Sequence, residues 1–143
     1  MIKLRRILFV VVLFIPTLTS AEYNSTKLAV AVGKYLGAVS LFEYLQSSQC
    51  GYLIDTNFSL DQASRDALLN FRIKDREEME TALKQHKPEM IYESKEMVDG
   101  ALKAARKDGL DLKSACGMLV GTLSSTFSTI RADYEKAIST YSK

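Results

Sequence analysis

Residues 111–141, DLKSACGMLVGTLSSTFSTIRADYEKAISTY, decide the fold. Their apolar side chains are Leu112, Cys116, Leu119, Leu123, Phe127, Ile130, Tyr134, Ala137 and Tyr141. These recur at steps of three and four, which gathers them on one face of an α-helix. Beside that stripe runs a second one of small residues, Gly117, Gly121, Ser125, Ser128 and Ala132. One greasy face and one nearly bare face predict a helix with two neighbours, the second at close range. Asp111 stands where its carboxylate caps the first turn.

Working back from that helix, Gly109 is a stop signal and Arg106 and Lys107 complement the dipole of a preceding helix. Pro88 suits the first turn of that helix, whose core face is Met90, Ile91, Met97, Val98, Ala101, Leu102 and Ala105. An earlier helix opens on the capping-box pattern Ser59-Leu60-Asp61-Gln62. Its apolar period falters among the charges Arg72 to Glu80, which predicts a bend or split near Asp75. The first helix covers about Ser25 to Gln49, with Leu28, Val32, Tyr35, Val39, Phe42 and Leu45 in period and Gly33 and Gly37 on an adjoining strip. Gly51 is expected to end it in a left-handed conformation. With no strand alternation and no Pro/Ser-rich linker, the expectation is all-α: an antiparallel four- to five-helix bundle.

The extreme N-terminus carries Lys3, Arg5 and Arg6, an apolar run Ile7–Ile15, and small residues up to Ala21. This is the layout of a secretory signal peptide with cleavage after Ala21. The run is too short for a bilayer span, which needs about 20 apolar residues. Residues 1–21 are therefore read as a signal and 22–143 as one helical domain, with no membrane insertion after cleavage. The full chain has 19 Lys+Arg against 17 Asp+Glu. Losing those three N-terminal cations leaves 16 against 17, a net charge of −1. No basic surface then argues for nucleic acid.

Two cysteines in an exported chain point to an oxidising compartment, read as the periplasm, and to a Cys50–Cys116 disulfide joining the first and last helices. Closing so long a loop is worth roughly 4 kcal/mol in the chain-entropy account. If the two helices run antiparallel from that bond, Gly37 lies near Thr129, Gly33 near Asp133 and Leu45 opposite Gly121. Close packing of Gly33, Gly37, Gly117 and Gly121 is the expectation that follows.

Catalytic signals are sparse. His86 is the one histidine, and there is no HExxH, C-x-x-C, G-x-S-x-G or phosphate-cradling loop, so no metal, cofactor or catalytic residue is assigned. Glu77, Glu78 and Glu80 read as a solvated face, and Tyr92-Glu93 as a minor aromatic-plus-acid contact. The chain reads as non-enzymatic. What stands out is the apolar connector after Cys50, with Tyr52, Leu53, Ile54, Asp55 and Phe58 as candidate partner-binding residues, since exposed aromatics clustered on a loop mark binding surfaces.

The signal segment, with Cys50 and Cys116 in a helical chain of this size, resembles the small periplasmic immunity proteins that protect bacteria from type VI secretion effectors (Rap1a/Tai type). That resemblance implies a protein partner, a secreted effector enzyme neutralised by a loop-borne plug, and a homodimer. The paired cysteines are also similar in outline to acid-activated periplasmic chaperones of the HdeA type. An envelope-assembly adaptor is a third expectation.

Overall fold

The computed structural model describes residues 23–142; the signal-peptide assignment to residues 1–21 lies outside them. Among the described residues four α-helices follow one another: α1 (Tyr23–Ser47), α2 (Leu60–Leu68), α3 (Ile73–Lys107) and α4 (Leu112–Tyr141). A short 3-10 turn, Gly51–Leu53, follows the first. Among the described residues there is no strand. The Cys50–Cys116 disulfide joins the end of α1 to the first turns of α4, with Cα atoms 5.3 Å apart across 66 positions of sequence. Both cysteines are fully buried.

The hub is α1. Leu28, Val32, Leu36, Val39 and Leu45 are all essentially inaccessible, and α2, α3 and α4 each pack on this helix. Thr26–Ser47 is long and apolar enough to cross a membrane. A helix apolar on nearly every side is stable in water only when neighbours surround it, and here three helices do.

Register is fixed by rings and hydroxyls. Tyr35 stacks face to face on Tyr134, with centroids 4.1 Å apart, and Phe42 meets Phe127 at 5.1 Å. Rising numbers on α1 pair with falling numbers on α4, so the two run antiparallel. Against α3 the direction is parallel: the Ser40 hydroxyl donates to the Met90 carbonyl, Ser94 donates to Ser40 at 2.8 Å, and Tyr44 donates to Asp99 at 2.8 Å. Two core regions result, one around Val32, Phe71, Met79 and Tyr134, the other around Phe42, Val98, Leu119 and the disulfide. Phe58 and Phe127 pack against both and weld them together.

The apolar stripe of α4 lies inward, with none of its members exposed. The small-residue stripe does not. Gly117, Gly121, Ser125, Ser128 and Ala132 are all exposed, and a Cβ placed on Gly117 or Gly121 would meet nothing within 4 Å. The expected close packing of these two glycines is therefore absent. Gly37 is buried and Gly33 half-buried, but they share a strip of α1 with Ser40 and Tyr44, whose contacts are to α3. Their expected partners Thr129 and Asp133 on α4 are exposed. Tyr35 and Phe42 of α1 take the α4 side, where the flat faces of Tyr134 and Phe127 meet them.

Two helix boundaries also differ from expectation. Chain direction changes at residues 69–72, earlier than Asp75. Asn70 donates to the carbonyls of Asp66 and Ala67, while Arg76 donates to those of Leu69 and Phe71. With the carbonyls that end α2 satisfied, Phe71 turns into the core. From Ile73 the helix continues to Lys107 without a break, so Pro88 lies inside α3 and does not begin a helix. Lys84 and Pro88 are both exposed, so the carbonyl deprived of its N–H partner stands on the solvent side. Other signals act as read: the Asp111 carboxylate accepts from the Ser114 N–H at 2.8 Å and Gly109 adopts φ +86°. Of the capping box only the Ser59 half forms, its hydroxyl accepting from the Gln62 N–H at 3.3 Å as the Gln62 side chain turns to Arg65 and Asp66. Gly51 does not take a left-handed conformation. It opens the 3-10 turn, where any Cβ would sit 2.3 Å from the Gln46 carbonyl oxygen.

Candidate functional site

The connector after the disulfide is held from below by α1. Gln46 reaches across with both ends of its side-chain amide. Its oxygen accepts from the Phe58 N–H at 2.9 Å, and its nitrogen donates to the Phe58 carbonyl at 2.7 Å. One turn earlier, a Glu43 oxygen accepts from the Leu60 N–H at 3.3 Å, at the positive end of α2. The Phe58 ring packs at 4.8 Å from Phe42 and stands edge-on to Phe127 at 5.4 Å. The loop is thus clamped at its far end by Gln46 and Phe58 and at its near end by the disulfide.

Five residues of this connector were expected to face a partner, and the structure divides them. Tyr52 is 61% exposed, and Leu53 and Asp55 are exposed as well. Ile54 and Phe58 are half-buried and pack against the core region around Phe42 and the disulfide, where they anchor the loop. Met118, which the pattern assigned to neither face, is 63% exposed. Tyr52 and Met118 each follow a disulfide cysteine by two residues, so the crosslink sits beneath both.

Between the loop, α2 and α4 opens a cleft of about 860 Å³. Its floor is aromatic: Tyr35, Phe42, Phe58 and Phe127. Ser124 and Ser128 of α4 make a low wall, so the small-residue face of that helix borders an open space. Four charged residues line the mouth. Arg65 donates to the Gln62 oxygen at 2.7 Å, Asp66 accepts from the Gln62 nitrogen at 2.8 Å, and Arg131 pairs with Glu135 at 3.0 Å. Asp55 has no hydrogen bond or ion pair among the described residues. Beneath the floor, burial first, then Tyr35 and Asp66, push the Tyr134 phenol up to about 12.

The remaining candidates contribute little. His86 is half-buried in mid-helix, with Nδ1 3.9 Å from a Glu89 oxygen. Glu77, Glu78 and Glu80 are exposed, and Glu80 pairs with Lys84 at 2.8 Å. Tyr92 is exposed, whereas Glu93 is half-buried; burial first, then Glu89, raise its carboxyl above the usual range. Among the described residues, no three His, Cys, Asp or Glu side chains are grouped to hold a metal ion.

Pattern reading missed Gln46 and Glu43, the two residues that position the loop. Their only trace in the sequence is a pair of polar residues three apart near the end of a mostly apolar helix that also carries Lys27, Lys34 and Ser40. Compared with protein families, curated proteins and solved structures, the chain has no significant match.

Proposed function

We propose that this chain is an exported binding protein without catalytic activity, a periplasmic immunity or inhibitor protein that neutralises one secreted effector through the surface around Tyr52, Leu53 and Asp55. One observation carries the reading. An aromatic and an aliphatic side chain are held exposed on a loop whose two ends are fixed, by Cys50–Cys116 and by the Gln46 clamp on Phe58. Exposing large apolar side chains costs solvation, and a preorganised aromatic anchor loses little entropy when it docks. The paired cysteines and the apolar N-terminal run fit an export route.

The test is affinity capture with oxidised residues 22–143 from lysate of the source organism, at neutral pH and at pH 3. One stoichiometric partner at neutral pH, weakened about tenfold or more by Tyr52→Ala or Leu53→Asp, is the expected result. Many partners seen only in acid would replace this reading with the acid-activated chaperone. A neutral-pH partner indifferent to both loop variants would move the interface elsewhere.

A further inference from the structure

Asp55, Thr56 and Asn57 border the cleft as an exposed stretch of loop that bends at Thr56. The backbone N–H and C=O groups of Asp55, Thr56 and Asn57 make no hydrogen bond among the described residues. Phe58, next in the chain, has both of its groups taken by Gln46. Three consecutive residues thus offer main-chain donors and acceptors at the edge of a space whose opposite wall is kept low by Ser124 and Ser128. Of the four charges around that space, Arg131 pairs with Glu135, Arg65 and Asp66 both bond the neutral Gln62 amide, and Asp55 makes no hydrogen bond or ion pair among the described residues. A carboxylate that lines the same cleft as the Phe58 and Phe127 rings favours a cation there, because the negative faces of the rings and the carboxylate attract the same charge. A volume of about 860 Å³ falls within the range of real ligand clefts, roughly 300–1,000 Å³.

From these we infer that the cleft takes an extended peptide segment of the partner protein, its main chain pairing with residues 55–57 and a Lys or Arg side chain laid over Phe58 and Phe127 to meet Asp55. Main-chain pairing supplies sequence-independent attraction and the side-chain slot supplies selectivity, as in other modes of extended-peptide capture. The inference rests on the loop-centred reading above and names the chemistry of its partner.

The probe is a pair of capped tripeptides, Leu-Lys-Leu and Leu-Glu-Leu, titrated into ¹⁵N-labelled oxidised residues 22–143. The lysine peptide is expected to move the amide signals of Asp55, Thr56, Asn57, Ser124 and Ser128 saturably and to bind about tenfold more tightly than the glutamate peptide. Asp55→Asn should erase that difference, and Ser128→Trp, on an exposed helical position, should fill the cleft and abolish both. Equal binding of the two peptides, shifts confined to another surface, or no saturable shift at millimolar peptide overturns the proposal. The captured partner separates the two readings: loss with Tyr52→Ala but not with Ser128→Trp leaves the loop surface standing and removes the cleft. Peptide binding at the cleft without any captured partner does the reverse.

Discussion

Replacing Gln46 by alanine tests the device on which the site depends. The substitution leaves the α1 backbone intact and removes the two hydrogen bonds to Phe58, 2.9 Å from its N–H and 2.7 Å from its carbonyl. At about 0.5–1.5 kcal/mol net for each bond, and with both main-chain groups part-buried, the expected loss is about 1–3 kcal/mol. With a urea m-value of about 1.5 kcal/mol/M, the unfolding midpoint falls by roughly 0.7–2 M at unchanged slope. Amide exchange read by NMR localises the effect: the Phe58 N–H should accelerate before residues in the core of α1. Gln46→Glu sharpens the test. The carboxylate still accepts from the Phe58 N–H but sets an oxygen against the Phe58 carbonyl, which raises its pKa above the unfolded value. The folded variant then binds more protons than the unfolded one, so relative to wild type it is stable in acid and loses stability as pH rises through the carboxylate range. A Gln46→Ala midpoint within about 0.3 M of wild type, or a Phe58 amide exchanging at the wild-type rate, refutes the clamp.

Three further outcomes follow from the packing and the charges. Gly117→Ala and Gly121→Ala should each stabilise by about 0.5–1 kcal/mol in urea, since an added Cβ meets open space in a helix interior, whereas Gly51→Ala should destabilise because its Cβ would overlap the Gln46 carbonyl; a loss at Gly121 would show a contact on that face. Removing the crosslink with Cys50→Ala and Cys116→Ala together should cost about 3–4 kcal/mol, and a measured cost under 1 kcal/mol would refute the loop-closure account. Three carboxyls are held below the usual range: Asp61 by Lys87, Asp99 by Lys95 and then Tyr44, and Asp111 by the Ser114 N–H. Their pKa values are lower folded than unfolded, so their stabilisation is present above the ordinary carboxylate pKa and disappears as pH falls below about 4, visible as a falling urea midpoint. Glu93 has the opposite sign, its carboxyl raised by burial and then by Glu89. Glu93→Gln should therefore raise the midpoint at neutral pH and leave it unchanged well below pH 4.

The candidate loop was legible from composition alone: an aromatic, acidic, aperiodic stretch directly after a cysteine announces Tyr52 to Phe58 as unusual. Its division into exposed Tyr52, Leu53 and Asp55 and anchoring Ile54 and Phe58 was not legible. An aperiodic segment carries no rule for which side faces in, and the choice is made by Phe42 and Phe127 offering a ring-sized recess. The cleft was equally hidden, since its walls come from residues about 70 positions apart in the chain, Asp55 to Asn57 and Ser124 to Ser128.

By itself the sequence determined the helical class, the inward face of α4, the caps at Ser59 and Asp111, the stop at Gly109 and the single crosslink. Each of these depends on groups within a few residues of one another or on the chain holding just two cysteines. Only the tertiary structure decided that α1, and not α4, is the hub, that the Gly117–Gly121 face stays open, that Pro88 is carried inside a helix and that the chain turns at 69–72. Periodicity says which residues share a face, but a face is buried only if another element arrives to cover it. Which element arrives is set by the summed packing of the whole chain, so Phe127 and Tyr134 drew the aromatic side of α1 and left the small residues of α4 facing solvent.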